Sequence, residues 1–271
     1  MSYPIYPMLK VQDDFDKALE QPTGSFIVSE KKLKVLELFA GTRSIGKAFE
    51  ARGHKVFSVD WSETFEDIDL YADILTLTPE LMREKFGTPD VIWASPDCTT
   101  YSIAAISHHR RQEPDGNLAP VSSYAKTCDQ VNQHMLELIR ALNPKFWFVE
   151  NPRGGLRKMN FMRGLPRYTV TYCQYGDSRM KPTDIWTNHP APDFLPMCHN
   201  GDPCHERAPR GAKTGTQGLK DHVERSRIPQ DLCEHIVDIC EQYIAAQSLD
   251  TVRVETIDIP ECELPHDSIC A

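Results

Sequence analysis

Apolar and polar positions fall into short blocks along the chain. An apolar strand over 34–39 ends at Ala40-Gly41. A helical period then starts near Ser44 and runs to Ala51, with Ile45, Ala48 and Phe49 on one face. The next strand, Lys55–Val59, ends in Asp60-Trp61, and a third strand or turn ends near Asp73. A helix over 79–86 leads into a buried strand, 91–94, and then to a long polar segment, 99–122. Val131, Met135, Leu138, Ile139 and Leu142 recur at helical spacing within a helix over 124–142, which Asn143-Pro144 ends. The strand Phe146–Val149, a short helix near 156–163 and a strand over 168–174 follow. Beyond 190 the apolar blocks disappear until a last helix, 229–246, with Leu232, Ile236, Ile239 and Ile244 inward.

Strands that alternate with helices predict an α/β fold: a mostly parallel sheet with helices on both faces. The expected organisation is an N-terminal arm, 1–32, with a short helix at 12–20; a core, 33–188; a small irregular basic insert, 189–224; a segment returning to the core, 225–246; and an acidic tail, 247–271, with room for one strand at 252–258.

Composition narrows the function classes. The net charge of −9 argues against a protein that coats nucleic acid by bulk charge, although a local basic face is compatible with it. Nine cysteines, scattered and odd in number, do not form a disulfide framework. Without a leader or a long apolar run, they point to a reducing cytoplasm, where thiols are free, catalytic or metal-bound.

Candidate chemistry collects at the strand ends. Gly41 and Gly46 let a ligand approach the backbone, and Asp60 falls 19 positions after Gly41, the layout in which a carboxylate binds ribose hydroxyls. There is no GxGxxG and no phosphate-type lysine motif, so an adenosine without a phosphate chain fits better than a dinucleotide. Trp61 can lie flat on a purine, and Asp73 is placed to reach an adenine amino group. Strand 91–94 delivers Cys98 behind the stiff Ser95-Pro96 turn, and strand 146–149 delivers Glu150. Either could be structural, a small core thiol or a loop carboxylate, but together they suit nucleophilic and acid/base work. The segment 99–122, with His108-His109-Arg110-Arg111, reads as a lid over a polyanion. Arg179 and Lys181 could hold a base or a phosphate. Cys198, Cys204 and His205 could supply three ligands of a structural zinc, with His199 or a distant residue as the fourth. Arg207, Arg210, Lys213 and Lys220, among glycines and hydroxyls, suit a nucleic-acid backbone.

Taken in order, these residues resemble the S-adenosylmethionine-dependent cytosine-5 methyltransferases. Leu38-Phe39-Ala40-Gly41 with Gly46 is similar to their first cofactor motif, and Asp60-Trp61 and Asp73-Ile74 to the next two. Ser95-Pro96-Asp97-Cys98 resembles their Pro-Pro-Cys turn, Glu150-Asn151-Pro152 their Glu-Asn-Val, and Tyr175-Gly176 through Lys181 their Gln-x-Arg-x-Arg region. Asp97 stands where a proline is expected and Thr99 where a glutamine is; Arg179, Lys181 and Thr183 stand for Gln, Arg and Arg. The compact form resembles phage or prophage members, as in restriction-modification systems.

The resemblance implies a Rossmann-like methyltransferase core. It implies S-adenosylmethionine held by Phe39, Ala40, Gly41, Thr42, Ser44, Gly46, Asp60, Trp61, Asp73, Ile74, Ser95 and Pro96. It implies DNA as partner, its cytosine flipped out or single-stranded, with Cys98 adding to C6, Glu150 at the N3 and amino edge, and Arg179 or Lys181 at O2. RNA or a free cytidine nucleotide, transfer of a modified methyl group, and a non-catalytic DNA-binding role are the alternatives.

Overall fold

The structure, a computed structural model, describes residues 31–207 and 221–255. The expected helix at 12–20, the basic residues Arg210, Lys213 and Lys220, and the tail beyond 255 lie outside the described residues.

Nine strands are described: β1 (Lys34–Leu38), β2 (Lys55–Asp60), β3 (Leu70–Tyr71), β4 (Val91–Ala94), β5 (Arg110–Gln112), β6 (Leu118–Pro120), β7 (Phe146–Pro152), β8 (Arg167–Thr171) and β9 (Pro182–Thr187). The helices are α1 (Ser44–Ala51), α2 (Pro79–Lys85), α3 (Ile106–His109), α4 (Ser123–Leu142), α5 (His222–Ser226) and α6 (Gln230–Glu255). Seven strands form one sheet in the order β3-β2-β1-β4-β7-β9-β8. The first five are parallel, and β9 runs antiparallel between β7 and β8. This is the mostly parallel, Rossmann-like arrangement expected from the sequence.

Period-two alternation divides each strand between the two faces. Leu36, Leu38, Ile92, Ala94 and Val149 join the core beneath α2 and α4. Val35, Val91, Trp93, Phe146 and Phe148 join the core beneath α1 and α6. Because both faces are covered, the central strands are apolar on both, which is why they read as runs rather than as alternating blocks. The chain leaves β1 toward β2 on one side and returns to β4 on the other. Ligands of open α/β sheets bind beyond the carboxyl ends of strands at such a switch point.

Three expectations are corrected. Segment 99–122 is not a structureless lid: it forms a 3-10 turn, Thr99–Tyr101, then α3 and the β5-β6 hairpin. Its anchor is Arg110, expected to meet a polyanion from the lid but 5% exposed. The Arg110 guanidinium bonds Asp129 at 2.8 Å, the Thr100 carbonyl at 3.0 Å and the Leu118 carbonyl at 3.2 Å, and lies 4.0 Å from the Tyr101 ring centre. The strand expected from 252 is, as far as Glu255, the end of α6. The short helix near 156–163 is two 3-10 turns, Leu156–Lys158 and Asn160–Met162. Among the described residues no helix is long and apolar enough to cross a membrane.

Candidate active site

The turn after β1 is wound tightly. Phe39, Gly41 and Arg43 have φ values of 55°, 50° and 56°, in the left-handed region that only glycine enters without strain. Asp60, at the end of β2, holds this turn: its Oδ2 accepts from the Gly41 N–H at 2.9 Å and its Oδ1 from the Ser62 N–H at 2.9 Å. Each oxygen keeps a lone pair for another donor. Asp73 caps the turn after β3, accepting from the Leu75 N–H at 3.0 Å. Trp61 is 75% exposed.

Gly46 is placed differently from expectation. A Cβ there would meet the Glu37 carboxylate at 2.4 Å, so this glycine makes room for a buried acid below the turn. Glu37 itself is pushed up to about 7 by burial, against hydrogen bonds from the Gly46 and Ile45 N–H groups and the charge of Arg43.

At the ends of β4 and β7 a second group forms. Asn151 donates to the Pro96 carbonyl at 2.9 Å and so holds the turn that carries Cys98. Asp97 accepts from the Thr99 N–H at 2.5 Å and from the Tyr124 hydroxyl. The half-buried Cys98 thiol is pushed up to about 11, by burial first and then by the charges of Asp97 and Glu150, with Lys181 opposing. Glu150 is 6% exposed and accepts from the Tyr172 hydroxyl at 3.0 Å. Burial raises its carboxyl above the usual range, while Lys181 and the Tyr172 and Ser95 hydroxyls pull it back. Lys181 donates to the Arg225 carbonyl at 2.8 Å and lies 4.5 Å from the Tyr172 ring centre. Its ammonium is lowered by burial and supported by Glu150.

Both groups line one cleft of about 1680 Å³. A single small-ligand pocket measures roughly 300–1,000 Å³, so there is room for two occupants side by side. Phe39, Ala40, Gly41, Thr42, Ser44 and Asp60 line it at one end, with Trp61, Asp73 and Ile74 beside them; Ser95, Pro96, Cys98, Glu150 and Lys181 line the other. Arg179 does not line it. That guanidinium is buried and occupied by Asp177, through Nε at 2.8 Å and through Nη2.

No family model matches the chain. Over 225 residues it is 30% identical to a frog virus 3 (isolate Goorha) protein described as a probable DNA (cytosine-5)-methyltransferase, an alignment that covers 77% of this chain and 100% of that relative. The chain belongs to the DNA (cytosine-5)-methyltransferase family. Among solved structures, the S. pombe Dnmt2 methyltransferase aligns with a TM-score of 0.42 at 15% identity, over 58% of this chain and 50% of that one. Entamoeba histolytica methyltransferase EhMeth aligns with a TM-score of 0.42 at 13% identity, over 58% and 52%. This methyltransferase thus spans about half the length of those two structures.

A second cluster of this methyltransferase lies in the segment after β9. Cys198, Cys204 and His205 converge there as expected, but the residue that joins them is Cys173, in the 3-10 turn after β8. His199, the other suggested ligand, points outward with its side chain 91% exposed, facing Asp202. The role of Tyr172 was not legible in the sequence: it lies in a strand-like run that signals only core, and its hydroxyl becomes meaningful only once Glu150 is seen beside it. Asn151, which the sequence places after Glu150 at the end of the same strand, holds the Pro96 carbonyl.

Proposed function

We propose that the protein transfers a methyl group from S-adenosylmethionine to C5 of cytosine in DNA, with Cys98 as the transient nucleophile. The observation that carries this reading is that Cys98, Glu150 and Lys181 share one cleft with the turn held by Asp60. The turn end fits the cofactor. Asp60 retains acceptor capacity for ribose hydroxyls, the exposed Trp61 offers an aromatic face, and the Asp73 carboxylate, which accepts from the Leu75 N–H, keeps acceptor capacity for an adenine amino group. When bound, S-adenosylmethionine supplies an electrophilic methyl group on a sulfonium.

Cytosine C5 is a poor nucleophile. Addition of the Cys98 sulfur to C6 forms an S–C6 bond and gives C5 enamine character. Glu150, already biased toward its protonated form, holds a proton at N3 and accepts from the amino group, so charge does not accumulate on the ring. Lys181 serves the O2 side; Arg179, tied to Asp177, orders the turn that carries Lys181. Once C5 has taken the methyl group, loss of the C5 proton to a base breaks the S–C6 bond and restores the thiolate. The two carboxyls are coupled to the thiol: once Glu150 holds its proton against the base, one of the charges that disfavour the Cys98 thiolate is gone.

The test is nucleoside mass spectrometry on duplex DNA, single-stranded DNA, tRNA and dCMP, each with cofactor. We expect 5-methylcytosine in DNA alone, none with Cys98→Ser, and cofactor affinity unchanged in Cys98→Ser but reduced in Asp60→Ala. Product in RNA or in the mononucleotide would overturn the substrate, and product formed by Cys98→Ser would overturn the nucleophile.

A further inference from the structure

We infer that Cys173, Cys198, Cys204 and His205 form a structural zinc centre that fixes the outer wall of the cleft. Their four donor atoms all lie within 4.8 Å of one another. The Cys173 and Cys198 sulfurs are 3.1 Å apart, and those of Cys173 and Cys204 3.6 Å. His205 Nδ1 is 3.7 Å from the Cys198 sulfur and 3.5 Å from that of Cys204. Tetrahedral zinc with Zn–S bonds near 2.3 Å and Zn–N near 2.0 Å separates its ligands by about 3.5–3.8 Å. Three of these separations fall at that spacing and the Cys173–Cys198 pair is closer; three thiols and an imidazole gathered so, with no carboxylate in the group, match a Cys₃His set for zinc. A disulfide would use two of the four and leave the remaining thiol and imidazole pressed against it.

The local backbone is shaped to bring these donors together. Cys198 is tied to the end of β8 by its N–H, which donates to Thr171 Oγ1 at 3.0 Å. The chain then reverses: the Asp202 N–H donates to the His199 carbonyl at 3.1 Å, Asp202 Oδ2 accepts from the His199 N–H at 2.6 Å, and Gly201 takes a φ of 104°. That reversal returns Cys204 and His205 to Cys198. Among the described residues between β9 and α5 there is no helix or strand. A segment that buries so little needs another source of rigidity, and a structural metal supplies one. The rigidity has a use, because Asn200, Glu206 and Arg207 line the cleft opposite the strand ends. Through Cys173, which directly follows Tyr172, the same centre ties that wall to the turn whose tyrosine bonds Glu150.

The experiment is metal analysis of the full chain purified under reducing conditions without added metal, with trypsin cleavage after Arg207 as a second readout. We expect one zinc per chain, retained in His199→Ala and lost in Cys173→Ser. Cobalt exchanged into the wild type should show the visible absorption of a tetrahedral thiolate site, which needs no variant to fold. Stripping zinc with a chelator should speed cleavage after Arg207 by about tenfold or more. Wild-type protein that neither contains nor takes up zinc, or that carries a Cys173–Cys198 disulfide instead, overturns the centre. Full zinc in Cys173→Ser overturns the ligand set, and unchanged cleavage overturns the anchoring of the wall. None of these readouts depends on methyl transfer.

Discussion

Asp97 is the residue at which this chain departs most tellingly from a Pro-Pro-Cys turn. A proline there would stiffen the backbone; the aspartate instead achieves rigidity by hydrogen bonding to Thr99 and Tyr124. The cost is a negative charge beside the nucleophile, which helps hold the Cys98 thiol near 11. Asp97→Asn keeps an acceptor but removes the charge, so the thiolate fraction rises. The expected outcome is alkylation of Cys98 by iodoacetamide at pH 8 that is several-fold faster in Asp97→Asn than in wild type, followed by peptide mass spectrometry. An equal or slower rate would show that the charge does not govern the thiol. At this scale Cys98, Glu150 and Asp60 were legible because apolar strands delivered them to strand ends. Arg179 and Lys181 were not separable, since sequence spacing does not say which cation meets Asp177 and which meets the cleft.

The β5-β6 hairpin with α3 shows what the sequence concealed at the level of elements. Its strands are three residues each, too short for alternation to register, and its four cationic and imidazole residues read as part of a lid over a polyanion. Burial reverses that reading: Arg110 is the core of the substructure, joining the turn after Cys98 to α4 through Asp129. Removing one partner of a buried ion pair leaves the other charged and desolvated, at roughly 3–5 kcal/mol. Arg110→Ala should therefore lower the unfolding free energy measured in urea by that much, whereas Arg110→Ala with Asp129→Ala should recover a good part of the loss. Purely additive losses would mean that the pair is not coupled. The glycine turn after β1 misled in a different way. Gly46 fits a cofactor motif in spacing, yet its small size serves Glu37.

That buried Glu37 has a consequence for the stability of the whole molecule. Its folded-state value of about 7 lies above the 4.5 of an ordinary glutamate in the unfolded chain. The folded state therefore binds the extra proton, and this contribution is fully present below the unfolded value and lost as pH rises through 7. At 1.36 kcal/mol per unit the full change is about 3 kcal/mol. Asp177, held below the usual carboxylate range by Arg179 against the effect of burial, acts oppositely and loses its contribution in acid. Urea unfolding from pH 5 to pH 8 should show falling stability in wild type and a flatter profile in Glu37→Gln; identical slopes would exclude Glu37 as the source. The sheet order, by contrast, needed no such detail. Strand and helix alternation dictated a mostly parallel α/β core, and long helical periods made α4 and α6 readable, while the irregular segment after β9 carried no periodicity from which to see that it returns to Cys173 after β8.

The last helix completes the first strand. Leu232, Ile236, Val237 and Cys240 of α6 are buried in the same cluster as Val35, Ile45, Phe49 and Trp93. His54 Nε2 meets Glu241 at 2.9 Å across 187 positions of chain. During synthesis at ~5–20 residues per second, that separation is a wait of about 10–40 s in which one face of the nascent sheet is covered by α1 alone. The protein is thus built to fold late, as one unit, and a ribosome that stalls before α6 releases an apolar sheet face to the chaperones.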